Sequence, residues 1–569
     1  MMLLLFGLLF GKLLSSHMLY PKSDGLYSAG STWGDLAWHL SLISSASQRG
    51  FSVLRDDPIF PGEKLSYPFV PDVLTAMLLR NGSSLRMSLI VPALLGLLGA
   101  VAGIYVLARK VTGTTFGAVA TLLLFFFNGS IAGCYYLWQD LHHYHSGVQL
   151  FFENLPKDYA HVPEHNLVFS NLINDYLLPQ RASIFGLFVG VLAVLWLWHY
   201  WQHATRRALL IAGLLISCLP LVHVHTFIAL IMAAILLFCI QLISSSRQRE
   251  VMISWCWFAV PIATIALPQM LWIIPRHSHT FLRVQLGWMA GNDPILLFWL
   301  KNLGFHLFVF LGAFFVARRE LKTFCLAFAG IFLISNVLVF QPYDYDNLKI
   351  MVWWFLVSCL LAAYLLQRLR FRLGTGVALF LLTGLTVTGI ISVYREMNLS
   401  WRLFSSDDLA LAEFVKDHTS REALFLTSDK HNNPISCLAG RRIVMGYRGW
   451  LWTHGIDYRR RERDVLAMFS GRDDASSLLQ MYGVNFVLFE RDRAAELGEN
   501  RKFLAEHLIE VYASKNYTLF AVPGLDRSTI RPPLPSNRDS FANYTSVQAR
   551  LQSTASGGAG QVPVAIPRR

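Results

Sequence analysis

Residues 88–110 read SLIVPALLGLLGAVAGIYVLARK, an apolar run that ends at the basic pair Arg109-Lys110. Its length matches the roughly 20 residues that a helix needs to cross the hydrocarbon core of a bilayer. Further apolar runs occur along the whole chain, so the sequence predicts an all-α membrane fold with about 11 transmembrane helices. The predicted spans lie near residues 2–19, 88–108, 112–133, 182–201, 208–222, 224–243, 251–272, 296–317, 323–340, 350–366 and 374–394.

The composition of the chain agrees with this interpretation. Hydrophobic residues make up 54% of the 569 positions and charged residues 15%, whereas a soluble protein carries roughly 25% charged residues. A soluble globular protein and a disordered chain are therefore excluded, and 7 cysteines are too few for a disulfide scaffold. The formal charge of +13 does not indicate a nucleic-acid partner, because many basic residues gather in short gaps between spans.

Short basic clusters occupy every second gap. They are Arg109-Lys110, Arg206-Arg207, Arg247 with Arg249, Arg318-Arg319 with Lys322, and Arg368-Arg370-Arg372. The positive-inside rule places such clusters in the cytoplasm. The long polar segments, among them 20–87, 134–181 and everything after 395, are then predicted to lie on the opposite face. That face is the lumen of the ER for a eukaryotic protein and the periplasm for a bacterial one.

The sequence predicts three regions. Residues 1–394 form the membrane domain, in which 20–87 are the first outer loop. Residues 395–522 form a small outer α/β domain, in which strand-like runs alternate with helix-like stretches. Residues 523–569 are rich in Pro, Ser, Gly and Arg and lack a periodic apolar pattern, which predicts a disordered tail.

The first outer loop carries the most informative motif. Trp33-Gly34-Asp35 follows the first span, and an amphipathic stretch then runs to Gly50 and a Tyr67-Pro68 turn. An acid beside Trp, an interfacial helix and a Pro-rich turn in this order resemble the GT-C superfamily of membrane glycosyltransferases. The chain is similar in layout to the protein mannosyltransferase and aminoarabinose transferase-like families. The resemblance covers residues 1–400 as architecture and depends on 20–70 at the level of motifs.

This resemblance implies an inverting glycosyltransferase that takes a sugar from a polyprenyl-phosphate carrier on the outer face. Its expected partners are that donor, a glycan, lipid or protein acceptor, and membrane lipids. The catalytic acid of the family maps onto Asp35 as the general base, and Asp24 is the second candidate. The residues by themselves leave an alternative, in which Asp35 caps a helix that begins near Leu36.

Cations at the outer membrane surface are needed to hold the donor phosphate. The first candidates are Lys349, which closes the acidic segment 343–349, and Arg181 at the mouth of the fourth span. Arg276 and Arg283 are weaker candidates. The alternative for all four is that they only extend from the span ends toward the lipid headgroups.

Other residues on the outer face are predicted to contact the sugar or the acceptor. They are Trp33, His39, Tyr67, Glu164, His165, His225, Asp344 and Asp346. No cofactor is predicted, because the sequence contains neither an HExxH motif nor a paired CxxC motif, although some GT-C enzymes use a divalent ion. The Gly- and aromatic-rich run 446–455 suits sugar stacking, but packing onto the spans is favoured.

Two other functions fit the sequence less well. A lipid or solute transporter, including a flippase, is expected to carry charged residues near the membrane midplane, and here the ionisable residues cluster at the outer ends of the spans. A non-catalytic scaffold with a GT-C fold would tolerate the loss of Asp35.

Overall fold

The computed structural model describes residues 1–523 apart from 275–281, 473 and 499. The predicted disordered tail, beyond its first residue, and Arg276 therefore lie outside the described residues. The α-helices of the described part are α1 (Met2–His17), α2 (Thr32–Arg49), α3 (Val70–Arg80), α4 (Leu85–Thr112), α5 (Thr115–Phe126), α6 (Ala132–His143), α7 (Val148–Glu153), α8 (Arg181–His203), α9 (Arg206–Ser217), α10 (Val224–Ser244), α11 (Gln248–Pro261), α12 (Leu267–Ile273), α13 (Ile295–Leu303), α14 (Phe305–Val316), α15 (Arg319–Ser335), α16 (Leu348–Leu373), α17 (Thr375–Asn398), α18 (Ser406–His418), α19 (Pro434–Cys437), α20 (Arg448–Thr453), α21 (Arg459–Ser470), α22 (Ala475–Tyr482), α23 (Ala494–Leu497) and α24 (Arg501–His507).

Short strands connect parts of the chain that are far apart in sequence. The strands of the described part are β1 (Tyr20–Lys22), β2 (Gly25–Ser28), β3 (Arg283–Val284), β4 (Leu338–Val339), β5 (Trp401–Ser405), β6 (Leu424–Leu426), β7 (Arg442–Ile443), β8 (Phe486–Glu490), β9 (Ile509–Ala513) and β10 (Tyr517–Ala521).

The protein is an integral membrane protein with a mostly helical fold. Among the described residues, 6 helices are long and apolar enough to cross a membrane, or up to 7 if α13 and α14 count as one span. Every predicted span coincides with a helix, but α1, α5, α9 and α15 have only 16, 12, 12 and 17 residues. The span predicted at 296–317 is not continuous, because the chain bends by 96° at Gly304 between α13 and α14.

Contacts between loops gather the basic clusters at one end of the helical bundle. Arg318 Nη2 donates to the Val111 carbonyl at 3.1 Å, next to the cluster at the end of α4. Thr114 meets Gln367 near the basic end of α16, and Trp201 Nε1 donates to the Glu320 carbonyl at 3.0 Å. Four of the five clusters thus share one end, as the alternation of basic gaps requires.

Helix α16 runs through the centre of the bundle, and its residues from Leu348 to Tyr364 are buried. Its near-continuous apolar sequence leaves no polar face to expose, so neighbours pack around it on all sides. Gly190 on α8 permits one of these contacts, because a Cβ atom there would lie 2.2 Å from the ring of Trp353. The outer end of α16 thereby has a fixed position, and Lys349 lies on its first turn.

A small sheet joins the first outer loop to the segment after the last span. β2 pairs antiparallel with both β1 and β5, and a Cβ atom on Gly25 would lie 2.0 Å from the Phe404 carbonyl oxygen. Residues 401–405, which the sequence assigned to the outer domain, thus belong to a sheet with the first outer loop.

The chain after residue 405 folds around a mixed sheet with the strand order β7-β6-β8-β10-β9. β6 is parallel to β7 and β8, whereas β10 is antiparallel to β8 and β9. The apolar runs near 423–427, 484–489, 508–513 and 517–522 form β6, β8, β9 and β10 as the sequence predicted.

Helix α2 is more deeply buried than an interfacial helix. The expectation of an amphipathic surface helix is wrong here, because residues from Leu36 to Ala46 are all buried. α2 packs against α3 and α19, and Ser44 Oγ donates to the Cys437 carbonyl at 2.7 Å. This packing holds the first turn of α2 in place.

Candidate functional site

A cavity of about 960 Å³ lies between the first outer loop, the outer ends of the helices and the domain that follows residue 405. Polar side chains line it, among them Asp35, Asp175 and Lys349. Apolar side chains such as Ile228, Met270 and Phe340 line it as well. The cavity therefore suits a ligand that has both a polar and an apolar portion.

Asp35 is the fourth residue of α2 and faces this cavity. Because the helix begins at Thr32 with Ser31 as its N-cap residue, the alternative in which Asp35 caps the helix is wrong. Gln180 Nε2 donates to Asp35 Oδ2 at 2.6 Å. Burial raises the pKa of Asp35, while the charge of Lys349 and the Gln180 hydrogen bond oppose that shift.

Lys349 enters the cavity from the first turn of α16. Its Nζ lies 2.9 Å from Asp346 Oδ1, and both side chains line the cavity. Among the described residues that line the cavity, Lys349 is the one Lys or Arg. Lys349 and Asp346, which the sequence analysis named as candidate site residues, thus line the same cavity as Asp35.

A second acid, Asp175, was missed by sequence reasoning. It lies in a π-helical turn, Ile173–Leu177, and His161 Nδ1 is 3.1 Å from its Oδ2 atom. Ser31 Oγ donates to its Oδ1 at 2.6 Å. Burial opposes ionisation of Asp175, but His161 and the hydroxyl donors outweigh it and lower the pKa of the carboxyl group. The available signal was the polar cluster of Asn171, Asn174 and Asp175 within an otherwise apolar stretch.

Arg181 is fully buried and is not among the described residues that line the cavity. Its Nε lies 3.5 Å from Asp72 Oδ1, and its Nη2 donates to Thr75 Oγ1 at 2.7 Å. Asp72 Oδ2 is in turn 2.9 Å from His39 Nδ1. Arg181 thus contacts the Asp72–His39 pair from behind the cavity wall, and its role as a phosphate ligand stays a prediction.

Several predicted site residues lie elsewhere in the structure. Asp24 forms an exposed pair with Arg402 at 3.2 Å, and Trp33 Nε1 donates to the Arg402 carbonyl. Arg283 pairs with Asp344 at the surface. The remaining two belong to the 163–165 turn, where Glu164 is exposed and His165 stacks on Tyr136.

His39, Tyr67 and His225 line the cavity together with side chains from the 446–455 run, and the role of these three residues in contacting the sugar or the acceptor stays a prediction. Trp450 and His454 pack around Trp38 with ring centroids 5.8 and 4.8 Å away. Burial lowers the pKa of His454 to about 4, so its ring is neutral near pH 7. The run therefore packs onto α2 in the first outer loop and lines part of the cavity, whereas the sequence analysis favoured packing onto the spans.

Residues that could hold a metal ion were sought in the described part of the chain. Within it, no group of three or more His, Cys, Asp or Glu side chains is arranged to hold one. The structure therefore assigns no metal ligands there.

No protein-family model matches the chain, and no curated protein matches its sequence. Its structure is nevertheless similar to solved membrane glycosyltransferases. The Archaeoglobus fulgidus oligosaccharyltransferase in complex with Zn and sulfate aligns with a TM-score of 0.53 and 13% identity, over 92% of this chain and 74% of that one.

Two further structures align over most of this chain. ArnT from Cupriavidus metallidurans bound to undecaprenyl phosphate has a TM-score of 0.50 and 10% identity, over 94% of this chain and 99% of that one. Arabinofuranosyltransferase AftD from Mycobacteria has a TM-score of 0.53 and 11% identity, over 92% of this chain and 42% of that one. All three are GT-C glycosyltransferases, and the predicted resemblance to this superfamily is confirmed at the level of the fold.

Proposed function

We propose that this protein is an inverting glycosyltransferase that moves a sugar from a polyprenyl-phosphate carrier to an acceptor, with Asp35 as the general base. The observation that carries the proposal is that Asp35 and Lys349 face the same cavity. After burial, the charge of Lys349 is the largest influence on the pKa of Asp35. This proximity supports a base and a phosphate-binding cation within one site.

The reaction needs both groups. The acceptor oxygen forms a bond to the anomeric carbon while the bond from that carbon to the phosphate oxygen breaks, and the polyprenyl phosphate leaves with the bonding electron pair. The acceptor proton passes to Asp35. A carboxylate with a raised pKa is a stronger base than an ordinary one, and Lys349 stabilises the phosphate as its charge increases.

The apolar part of the cavity supports a lipid-linked donor. Ile228, Met270, Ile273 and Phe340 line the same cavity as Lys349, and an isoprenoid chain packed against them avoids contact with water. Among structures of similar fold, ArnT was solved with undecaprenyl phosphate, and the archaeal enzyme with an inhibitory peptide and a dolichol-phosphate. These ligands belong to those proteins, and they support the same class of donor here.

The acceptor is a glycan, lipid or protein that enters from the side of Tyr67, Trp450 and His454. We further propose that α1, α5, α9 and α15 cross the bilayer together with the longer helices, which gives about 11 spans. The basic ends of the helices then face the cytoplasm, and the cavity opens to the ER lumen or to the periplasm.

Mass spectrometry of glycans and glycolipids from a deletion strain tests this function. One glycosylated product should disappear, its unmodified acceptor should accumulate, and the wild-type gene should restore it whereas Asp35→Asn should not. A strain with unchanged glycans and a redistribution of lipid between the two leaflets would instead favour a flippase. Full restoration by Asp35→Asn would favour a scaffold.

A further inference from the structure

The N-terminus of α10 meets the cavity beside the Lys349 wall and carries polar atoms that lack partners. Val224 and His225, the first two residues of α10, line the cavity, as does the N-cap residue His223. Helix α10 has 21 residues. The N–H groups of its first turn have no acceptor within the helix, and the helix dipole makes this end positive.

His223 supplies a second and independent indication of a ligand. The residue is 3% exposed, and its Nε2 atom has no hydrogen-bond partner among the described residues. Nδ1 lies 2.8 Å from Thr226 Oγ1, and a Cβ atom on Gly186 would lie 2.8 Å from the same nitrogen. Because the Nδ1 side of the ring packs against these residues, Nε2 points away from them.

The hydrogen bonds also favour one tautomer of His223. Trp353 Nε1, which is a donor only, donates to Thr226 Oγ1 at 3.2 Å. In the tautomer in which the Thr226 hydroxyl donates to His223 Nδ1, the proton of the neutral ring resides on Nε2. In that tautomer His223 offers a neutral N–H donor that has no acceptor among the described residues.

The side-chain amide of Gln341, another residue that lines the cavity, offers a similar donor. Its Oε1 atom accepts from His225 Nε2, which leaves the Gln341 Nε2 amide without a partner among the described residues. Gln341 and His223 both line the cavity. Lys349 shares its charge with Asp346 at 2.9 Å, so an anion in this place gains from donors other than the Lys349 ammonium group.

We propose that His223, Gln341 and the first turn of α10 form a phosphate cradle for the head of the lipid carrier, which rests on the function proposed above. Oriented neutral donors at a helix N-terminus bind phosphate without adding net charge. The apolar residue Ile228, about one turn further along α10, also lines the cavity. The same helix thus presents donors to a phosphate and an apolar surface to the chain attached to it, which favours a lipid phosphate over free phosphate.

Binding of undecaprenyl phosphate to the purified full-length protein in nanodiscs tests the cradle. His223→Phe should weaken binding about tenfold or more, because one hydrogen bond to an anion is lost. Binding of undecaprenol, which lacks the phosphate, should not change. His223→Gln places an amide N–H near the position of Nε2 and should restore most of the affinity. The matched control is His203→Phe. His203 is exposed at the last residue of α8, whereas Gly186, which lies against His223, is near the start of that helix, so this variant should bind like the wild type.

Each other result has a distinct meaning. Equal binding of undecaprenyl phosphate by the wild type and His223→Phe would overturn the cradle while leaving the proposed function in place. A wild type that binds no lipid phosphate would contradict the donor class itself. Binding of inorganic phosphate as tight as that of undecaprenyl phosphate would overturn the assignment to a lipid. If His223→Phe does not fold, Gln341→Met carries the same expectation.

Discussion

Asp35 and Asp175 face the same cavity, yet their surroundings shift the two pKa values in opposite directions. Burial dominates at Asp35, whose hydrogen-bond partner among the described residues is the neutral amide of Gln180, and the pKa rises. At Asp175 the contact with His161 and the hydroxyl donors Ser31 and Ser170 together outweigh burial, and the pKa falls. The comparison indicates that the hydrogen-bond partner of a buried carboxylate determines whether the carboxylate is suited to act as a base or as a fixed charge.

The position of each acid agrees with this division. Asp175 oxygens already contact His161, Ser31 and the Tyr345 hydroxyl, so few lone pairs remain for a proton from the acceptor. Asp35 Oδ1 has no hydrogen-bond partner among the described residues, and Asp35 lies one helical turn from His39 on the same face of α2. This contrast supports the proposal that Asp35 takes the proton of the acceptor, and we propose a positioning role for Asp175.

The largest expected effect is on turnover in Asp35→Asn. Loss of a general base lowers the rate by a factor of ~10² to 10⁴, and Asn keeps the size of the side chain. Turnover of a reconstituted enzyme with its lipid-linked donor is the measurement. Asp24→Asn is the matched control from the same loop and should turn over normally, because Asp24 is exposed and outside the cavity. A larger loss in Asp175→Asn than in Asp35→Asn would reverse the two roles.

Lys349→Met should have the next largest effect, on donor binding. Removing one cationic partner of a phosphate weakens its binding by a factor of about 10 to 100. The pKa of Asp35 should rise as well, because Lys349 is the main charge that lowers it. Lys301→Met serves as the control, since Lys301 pairs with Asp293 and is not among the described residues that line the cavity. Unchanged donor affinity in Lys349→Met would place the phosphate elsewhere.

Gln180→Leu is expected to have a moderate effect that depends on pH. The Gln180 hydrogen bond lowers the pKa of Asp35, so its loss should leave more of the base protonated near pH 7. The rate should fall by a factor of about 3 to 10 for one lost hydrogen bond and should recover as the pH rises. A rate that falls equally at every pH would show that Gln180 acts only through structure.

The sequence analysis named Asp35 as a candidate but missed Asp175, and the reasons are physical. Asp35 follows a Trp-Gly pair in a polar loop, and Lys349 and Asp346 lie in a short acidic segment at a span end, so each stands out by type and position. Asp175 lies in an apolar stretch, where a single acid resembles an interruption. Its partner His161 is 14 positions away and meets it only after folding.

The fold was predictable to a similar extent. Apolar run length identified helical segments at the predicted spans, although four of these helices have only 12 to 17 residues and one predicted span is bent. The bend at Gly304 and the pairing of β2 with β5 depend on contacts between distant segments. Burial of Arg181 also depends on such a contact, because its partner Asp72 lies on α3. Local sequence patterns contain no information about these partners.

The smallest expected effect is on the stability of the folded protein, and it tests the interaction between Asp175 and His161. Burial opposes the charge on His161, but Asp175 outweighs it and raises the pKa of His161 above 6.5. A raised folded-state pKa stabilises the protein below the unfolded value and loses that contribution as the pH rises through the folded value. Asp175, whose pKa is lowered from 3.8, contributes above 3.8 and loses its contribution as the pH falls below that. The His161–Asp175 pair is therefore most stabilising between pH 3.8 and pH 6.5.

His161→Gln should accordingly lower the apparent unfolding temperature by a few degrees near pH 5.5 and by much less near pH 9, because only the charged pair is lost. The measurement is differential scanning fluorimetry in one detergent at one scan rate. His145→Gln, an exposed histidine of the same outer loop, is the control and should change the unfolding temperature little at either pH. An equal loss for His161→Gln at both pH values would mean that His161 acts through packing on Tyr345 and not through its charge. The low pKa of Asp175 would then need another cause, and its contrast with Asp35 would depend on the hydroxyl groups of Ser31 and Ser170.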